Sequence, residues 1–121
     1  MTILIADQNP GFRKAVKTLL QVDQKVRMVW EADDGEMAVE LARELRPDLV
    51  LMEMSLPRVS GLEATRMIKK LGAIQVIIMG EYTEPVYRRA AIQSGADAFI
   101  PKSNAWARGD IPSSIIGGVE R

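Results

Sequence analysis

The sequence predicts an open five-stranded parallel α/β domain with helices on both faces of the sheet. Three observations lead there. Short apolar runs of strand length alternate with stretches of helical periodicity. The strand-like runs are continuously apolar rather than alternating, which suits strands covered on both faces. There are five such units, and closing a barrel would need eight. Right-handed crossovers with two-sided coverage favour strand order 2-1-3-4-5.

The elements run in order along the chain. "TILIA" (2–6) is the first strand, and Phe12, Ala15, Val16, Leu19 and Leu20 form the stripe of the first helix. "VRMVW" (26–30) is the second strand, with Trp30 read as core. Ala38, Leu41, Ala42 and Leu45 mark the second helix. "LVLMEM" (49–54) is the third strand, followed by the Ala64, Met67, Ile68 and Leu71 stripe of the third helix. "QVIIM" (75–79) is the fourth strand. A weaker helical pattern then runs from Pro85 to Ser94, with Thr83 expected to help cap its start and Gly95 to stop it. "AFI" (98–100) is the fifth strand. The final helix, "DIPSSIIGGVE", starts well at Asp110 and Pro112 but carries Gly117 and Gly118, so it should be short or frayed. A single domain over 1–121 is expected, with one irregular stretch at 101–110.

Composition narrows the function. The 121 residues carry 16 Lys+Arg against 16 Asp+Glu, giving no electrostatic case for nucleic acid or an anionic membrane. No cysteine is present, so disulfides and thiolate metal sites are excluded, and no histidine, so the commonest general base is missing. The N-terminus lacks a basic segment before its short apolar run, and no stretch approaches membrane-spanning length. A cytoplasmic protein is expected. GxGxxG and Walker A loops are absent, as is any recognition-helix pattern; the basic pairs at 69–70 and 88–89 read as solvated surface.

Open parallel sheets place their sites beyond the carboxyl ends of the strands, at the switch point, here between strands 1 and 3. The strand ends supply Asp7 and Gln8, Glu53, Gly80 and Glu81, and Lys102. Among them the Asp7 and Glu53 carboxylates, the Gln8 amide and the Lys102 ammonium, on one rim, suit a phosphate or a hard cation.

At these positions the chain resembles the receiver domain of two-component response regulators. The segments "TILIADQNPGFRKAVKTLL", "RPDLVLMEMSLPRVSGLEATRMIK" and "GADAFIPK" carry the likeness, with Pro57 and Gly61 at the family's loop positions. The resemblance implies a flavodoxin-like (βα)5 fold without an enzymatic centre. It further implies an aspartate at the end of strand 3 that accepts a phosphoryl group from a sensor histidine kinase. Two acids after strand 1, with that acceptor and a backbone carbonyl two residues on, would bind Mg²⁺. A Ser or Thr after strand 4, a lysine after strand 5 and an aromatic on strand 5 would couple modification to the surface.

This chain keeps only part of that apparatus. Asp7 and Lys102 match, and Phe99 takes the aromatic position. Gln8 stands where the second acid belongs, Glu53 occupies the acceptor position, Gly80 replaces the hydroxyl residue, and Glu81 fills the next position. Glutamate displaces its carboxylate by about 1.5 Å, one C–C bond, which spoils in-line attack and brings it towards Lys102. A direct Glu53–Lys102 pair would imitate part of what a phosphoryl group supplies. No cofactor is required, and any Mg²⁺ held by Asp7, Gln8, Glu53 and the Ser55 position is expected to be weak. Glu81 should repel an incoming anion. The expectation is an atypical receiver module that acts through protein contact rather than phosphorylation.

Three rival readings are a working receiver in which Glu53 is a phosphomimetic substitution of an acceptor aspartate, a flavodoxin-like ligand binder, and a pure dimerisation scaffold. Trp106, Tyr87 and Tyr82 are the interface candidates, on a face of helix 4, strand 5 and helix 5 that could also join two copies. "GLEA" and "PKS" are similar to receivers that precede helix-turn-helix domains, so any DNA contact is expected only through an output domain not present here.

Overall fold

Runs of β-branched and long aliphatic residues become strands, and the first, the third and most of the fourth are buried on both sides. The computed structural model describes residues 1–102, with elements β1 (Thr2–Ala6), α1 (Pro10–Gln21), β2 (Met28–Ala32), α2 (Gly35–Leu45), β3 (Leu49–Glu53), α3 (Gly61–Lys69), β4 (Gln75–Gly80), α4 (Pro85–Gln93) and β5 (Ala98–Pro101). The sheet is fully parallel in the order β2-β1-β3-β4-β5. Alternate residues of each strand feed two apolar cores. Ile3, Ile5, Leu49, Leu51, Ile77 and Met79 pack on the side of α1. Leu4, Ala6, Val50, Met52, Val76 and Ile78 pack on the side of α2 and α3. The expected helix from residue 110, and Trp106, lie outside the described residues.

Local sequence sets where the helices begin and end. Asn9 caps α1 by accepting the Phe12 N–H, with Pro10 in the first turn. Asp34 and Ser60 cap α2 and α3 in the same way, at Met37 and Glu63. Gly95, at φ +102°, ends α4 as its composition predicts.

Several expectations need correction. β2 begins two residues later than its apolar run, at Met28, because Val26 closes a turn on Asp23 and Arg27 pairs with Met1 before the ladder starts. Trp30 is only half-buried, at the edge strand, and packs against the core from outside. Leu45 and Met67 are exposed, while Val39 and Thr65 take the buried places. Thr65 tolerates burial because its hydroxyl donates to the Gly61 carbonyl at 2.7 Å. Thr83 does not cap α4: the cap residue is Glu84, without a side-chain hydrogen bond.

Two glycines bring the β3–α3 loop against its neighbours. A Cβ at Gly61 would lie 1.9 Å from the Glu53 carbonyl oxygen, and one at Gly35 would lie 1.8 Å from that of Val59. Backbone approach this close admits no side chain. The loop is also tied by the Gly35 N–H donating to the Pro57 carbonyl and by the Arg58–Asp34 ion pair at 3.2 Å. The backbone around Glu53 is therefore held on both sides.

Candidate functional site

The carboxyl ends of β1, β3 and β5 meet at one buried charge cluster. Asp7 follows β1 and is fully buried, Glu53 ends β3 at 7% exposure, and Lys102 follows β5. The Lys102 ammonium sits between the two acids, 2.7 Å from Asp7 Oδ2 and 3.4 Å from Glu53 Oε2. Its backbone N–H donates to the Gly80 carbonyl at 2.7 Å, which fixes where the side chain departs from the sheet. The same ammonium lies 4.3 Å from the Phe12 ring centroid, so one flank of the cation rests on an aromatic face.

Both carboxylates are further engaged by N–H groups. The Gln8 backbone N–H donates to Glu53 Oε1 at 3.1 Å, and that of Asn9 donates to Asp7 Oδ1 at 2.8 Å. Asp7 Oδ2 takes no such hydrogen bond and is balanced by the ammonium as an ion pair. Arg13 donates to the Asp7 backbone carbonyl while its Nε pairs with Glu31 at 3.0 Å. Burial pushes the Glu53 carboxyl above the ordinary glutamate value; the Gln8 N–H opposes this, the Asp7 charge adds to it and Lys102 opposes it. Burial on its own would lower Lys102, but the Asp7 and Glu53 carboxylates outweigh it and hold the ammonium above the usual lysine value.

The donor set does not suit Mg²⁺, which takes near-octahedral oxygen ligands at short range. Among the described residues no group of three or more Asp, Glu, His or Cys converges. Gln8 Nε2 donates to the Ser55 carbonyl at 3.2 Å, so the side chain at position 8 presents an N–H to the one backbone oxygen that a cation would use. The charge of a cation is already supplied, by Lys102. An ion entering between Asp7 and Glu53 would have to displace an ammonium that both acids hold.

Gly80 has a physical counterpart one strand away. A Cβ on Gly80 would lie 2.7 Å from Cε1 and Cζ of Phe99, so the Phe99 ring fills the space into which any side chain at position 80 would grow. Phe99 is 5% exposed and belongs to the core. The Arg88 guanidinium of α4 lies 5.5 Å from its centroid. The ring thus connects the end of β4 to the surface of α4.

Gln8, Glu53, Ser55, Gly80, Glu81, Tyr82, Tyr87 and Lys102 line one cavity of about 230 Å³, together with Met54 and Met79. The residues read from the strand ends thus lie together in space, with Asp7 against Lys102 and Phe99 packed against Gly80. Of the aromatic interface candidates, Tyr82 is 59% exposed, Tyr87 is half-buried and stacks on it with centroids 5.2 Å apart, and Trp106 lies outside the described residues. Phe12 and Arg13 touch the cluster although the sequence does not mark them as rim residues. Phe12 sits in the core stripe of α1, and its first-turn place beside the rim is the signal that could have found it.

An open parallel α/β domain with an acid–lysine rim at its switch point defines the class of signalling receivers. Residues 3–110 match the response regulator receiver domain family, and the chain belongs to it. It is 34% identical over 103 residues to the transcriptional regulatory protein YdfI of Bacillus subtilis, covering 85% of this chain and 48% of that protein. It is 38% identical over 104 residues to the protein-glutamate methylesterase/protein-glutamine glutaminase 4 of Myxococcus xanthus, covering 84% of this chain and 30% of that one. The chain thus spans half or less of the length of these relatives, and they include both regulators and enzymes. The structure of a LuxR-family two-component response regulator from Aurantimonas sp. SI85-9A1 superposes with a TM-score of 0.87 at 29% identity, covering 98% of this chain and 84% of that one. No helix among the described residues is long and apolar enough to cross a membrane.

Proposed function

We propose that this receiver signals by phosphorylation-independent protein contact and regulates a transcriptional output carried by the rest of its protein. The observation that carries the reading is the Lys102 ammonium seated between Asp7 and Glu53, which already supplies there the positive charge that the metal of a phosphorylation site would bring. Phosphoryl transfer depends on positioning and charge neutralisation. Here the acceptor position holds a longer carboxylate tied to Lys102 and Gln8, the cation donors are engaged internally, and the hydroxyl position is a glycine packed against Phe99. Each departure removes a separate requirement. A lone phosphomimetic substitution in a working receiver would leave the acid at position 8 and the hydroxyl at position 80 in place, so Gln8 and Gly80 count against that alternative.

Relatives named as transcriptional regulators support a transcriptional output. Partners are then a sensor kinase that docks without transferring phosphate, another regulatory protein, or a second copy through the face of α4 and β5. DNA is contacted only by the output region. One domain over 1–121 in the cytoplasm fits this role. Intact mass spectrometry after incubation with acetyl phosphate and MgCl₂ tests it: no stable adduct is expected, and a gain of one phosphoryl group would overturn it.

A further inference from the structure

The cavity above Glu53 does not end at Tyr87. It shares Gln8, Met54, Ser55 and Tyr87 with a second, larger groove of about 720 Å³ between the β3–α3 loop and α4. The shared residues make one trough with two chemically different ends. At the far end the walls are Leu56, Pro57, Leu62, Val86 and Ala90, an apolar lining on which Val86 is 55% exposed. At the near end Glu53 and Glu81 line the cavity against a single cation, Lys102, and the buried Asp7 adds a further negative charge behind it. Lys102 is committed to Asp7 and Glu53, whereas Glu81 makes no ion pair among the described residues. The Tyr82–Tyr87 stack stands beside Glu81, offering aromatic surface to a cation.

We propose that this trough is a docking surface for an extended segment of a partner protein carrying one basic side chain followed by two or three apolar ones. The charge pattern decides the chemistry of the head: an acidic, aromatic-walled end attracts a guanidinium or ammonium and rejects an anion. The apolar end selects the side chains next along the segment. Depth decides between a peptide and a small molecule, because small ligands need enclosure of most of their surface. A wall in which Val86 and Tyr82 remain more than half exposed leaves such a ligand wet. A chain lying along the trough covers those residues while its own ends stay in solvent. Of the residues that line the trough, Glu53, Glu81 and Lys102 alone carry charge, so its polarity is set by Glu81 and Glu53 against one cation.

The surface deepens the proposed contact-based function by naming the partner chemistry, and it rests on that reading only in taking the rim as unmodified. Fluorescein-labelled peptides with one Arg, a spacer of one to three glycines and a Leu-Leu-Phe tail are the probes, against the same peptides with Glu for Arg. Anisotropy gives the affinity, and amide chemical-shift mapping on the ¹⁵N-labelled full chain gives the place. The Arg series should bind about tenfold more tightly than the Glu series, with shifts at Glu81, Tyr82, Leu62 and Val86. Glu81→Lys should reverse the preference, and Val86→Asp should weaken both series; both residues are exposed, so folding is preserved. Equal affinity of the two series, shifts confined elsewhere, or no binding by any Arg peptide would overturn the proposal. The outcome is independent of the acetyl phosphate assay: a phosphorylated chain that still prefers Arg peptides removes the earlier reading and leaves the trough.

Discussion

The residue that organises the rim is Lys102, and its removal is the sharpest single test of the cluster. Two carboxylates face it, one fully buried and the other nearly so, and no other side-chain cation contacts either of them among the described residues. Lys102→Met keeps an unbranched apolar stem but leaves two like charges facing each other. Breaking a buried pair in this way costs about 3–5 kcal/mol, so the urea midpoint at neutral pH should fall by a corresponding amount. Glu53 should behave in the opposite sense. Its carboxyl titrates above its unfolded value, so the folded state binds a proton more tightly than the unfolded chain does. The stability linked to that proton is fully present below the unfolded glutamate value and is lost as pH rises through the folded one. Glu53→Gln carries the neutral form at every pH. The variant should therefore gain in urea midpoint relative to the parent near pH 7 and lose that advantage on acidification below the ordinary glutamate value. A parent whose midpoint relative to Glu53→Gln falls towards low pH would mean that Lys102, rather than burial, governs Glu53.

At the scale of elements, what the sequence makes legible is what a strand or helix does by itself. β1 has the bounds of its apolar run, while β3 and β4 differ from theirs by one residue at the carboxyl end, because continuous burial leaves a continuous apolar signature. Where tertiary contact decides, the pattern misleads. Thr65 reads as polar yet is buried because it satisfies its own hydroxyl, and Met67 reads as core yet faces outward. α4 is the weakest helix to read for the same reason: Ala91 is its one buried residue, while Val86 and Ile92 are exposed. The link between β4 and β5 also lies beyond pattern. Gly80 reads as a lost hydroxyl, but only packing shows that the vacated volume holds Phe99. Gly80→Ser would force the ring from its place at a cost of about 1–3 kcal/mol, the usual penalty of overpacking. Aromatic NMR signals of Phe99 should shift in that variant, and with them the amide signals around Arg88, which rests on the ring. Unchanged Phe99 signals would show that the ring does not depend on the glycine.

The whole molecule assembles the site from residues far apart in the chain, because parallel strands in the order 2-1-3-4-5 bring the ends of β1, β3 and β5 to one edge. That is why topology alone brings Asp7, Glu53 and Lys102 together, while it does not specify Phe12, Arg13 and the apolar half of the trough: their roles depend on how α1 and α4 lie against the sheet. The same assembly sets the molecule's response to metal. A ligand that binds only the folded state stabilises it by RT ln(1 + [L]/Kd), about 2.7 kcal/mol at a hundredfold excess over Kd. With Lys102 already between the acids and Gln8 donating to the Ser55 carbonyl, Mg²⁺ is expected to have little such differential affinity. The urea midpoint should thus be the same in millimolar MgCl₂ as in NaCl of equal ionic strength. Gln8→Asp changes the balance at one position: it removes the N–H from the Ser55 carbonyl and adds a third carboxylate that a single ammonium cannot neutralise. That variant should be less stable than the parent without metal and should recover as MgCl₂ is added. A parent whose midpoint rises with Mg²⁺ as steeply as the variant's would show that the ammonium yields its place readily, and the internal-cation account of this rim would fall with it.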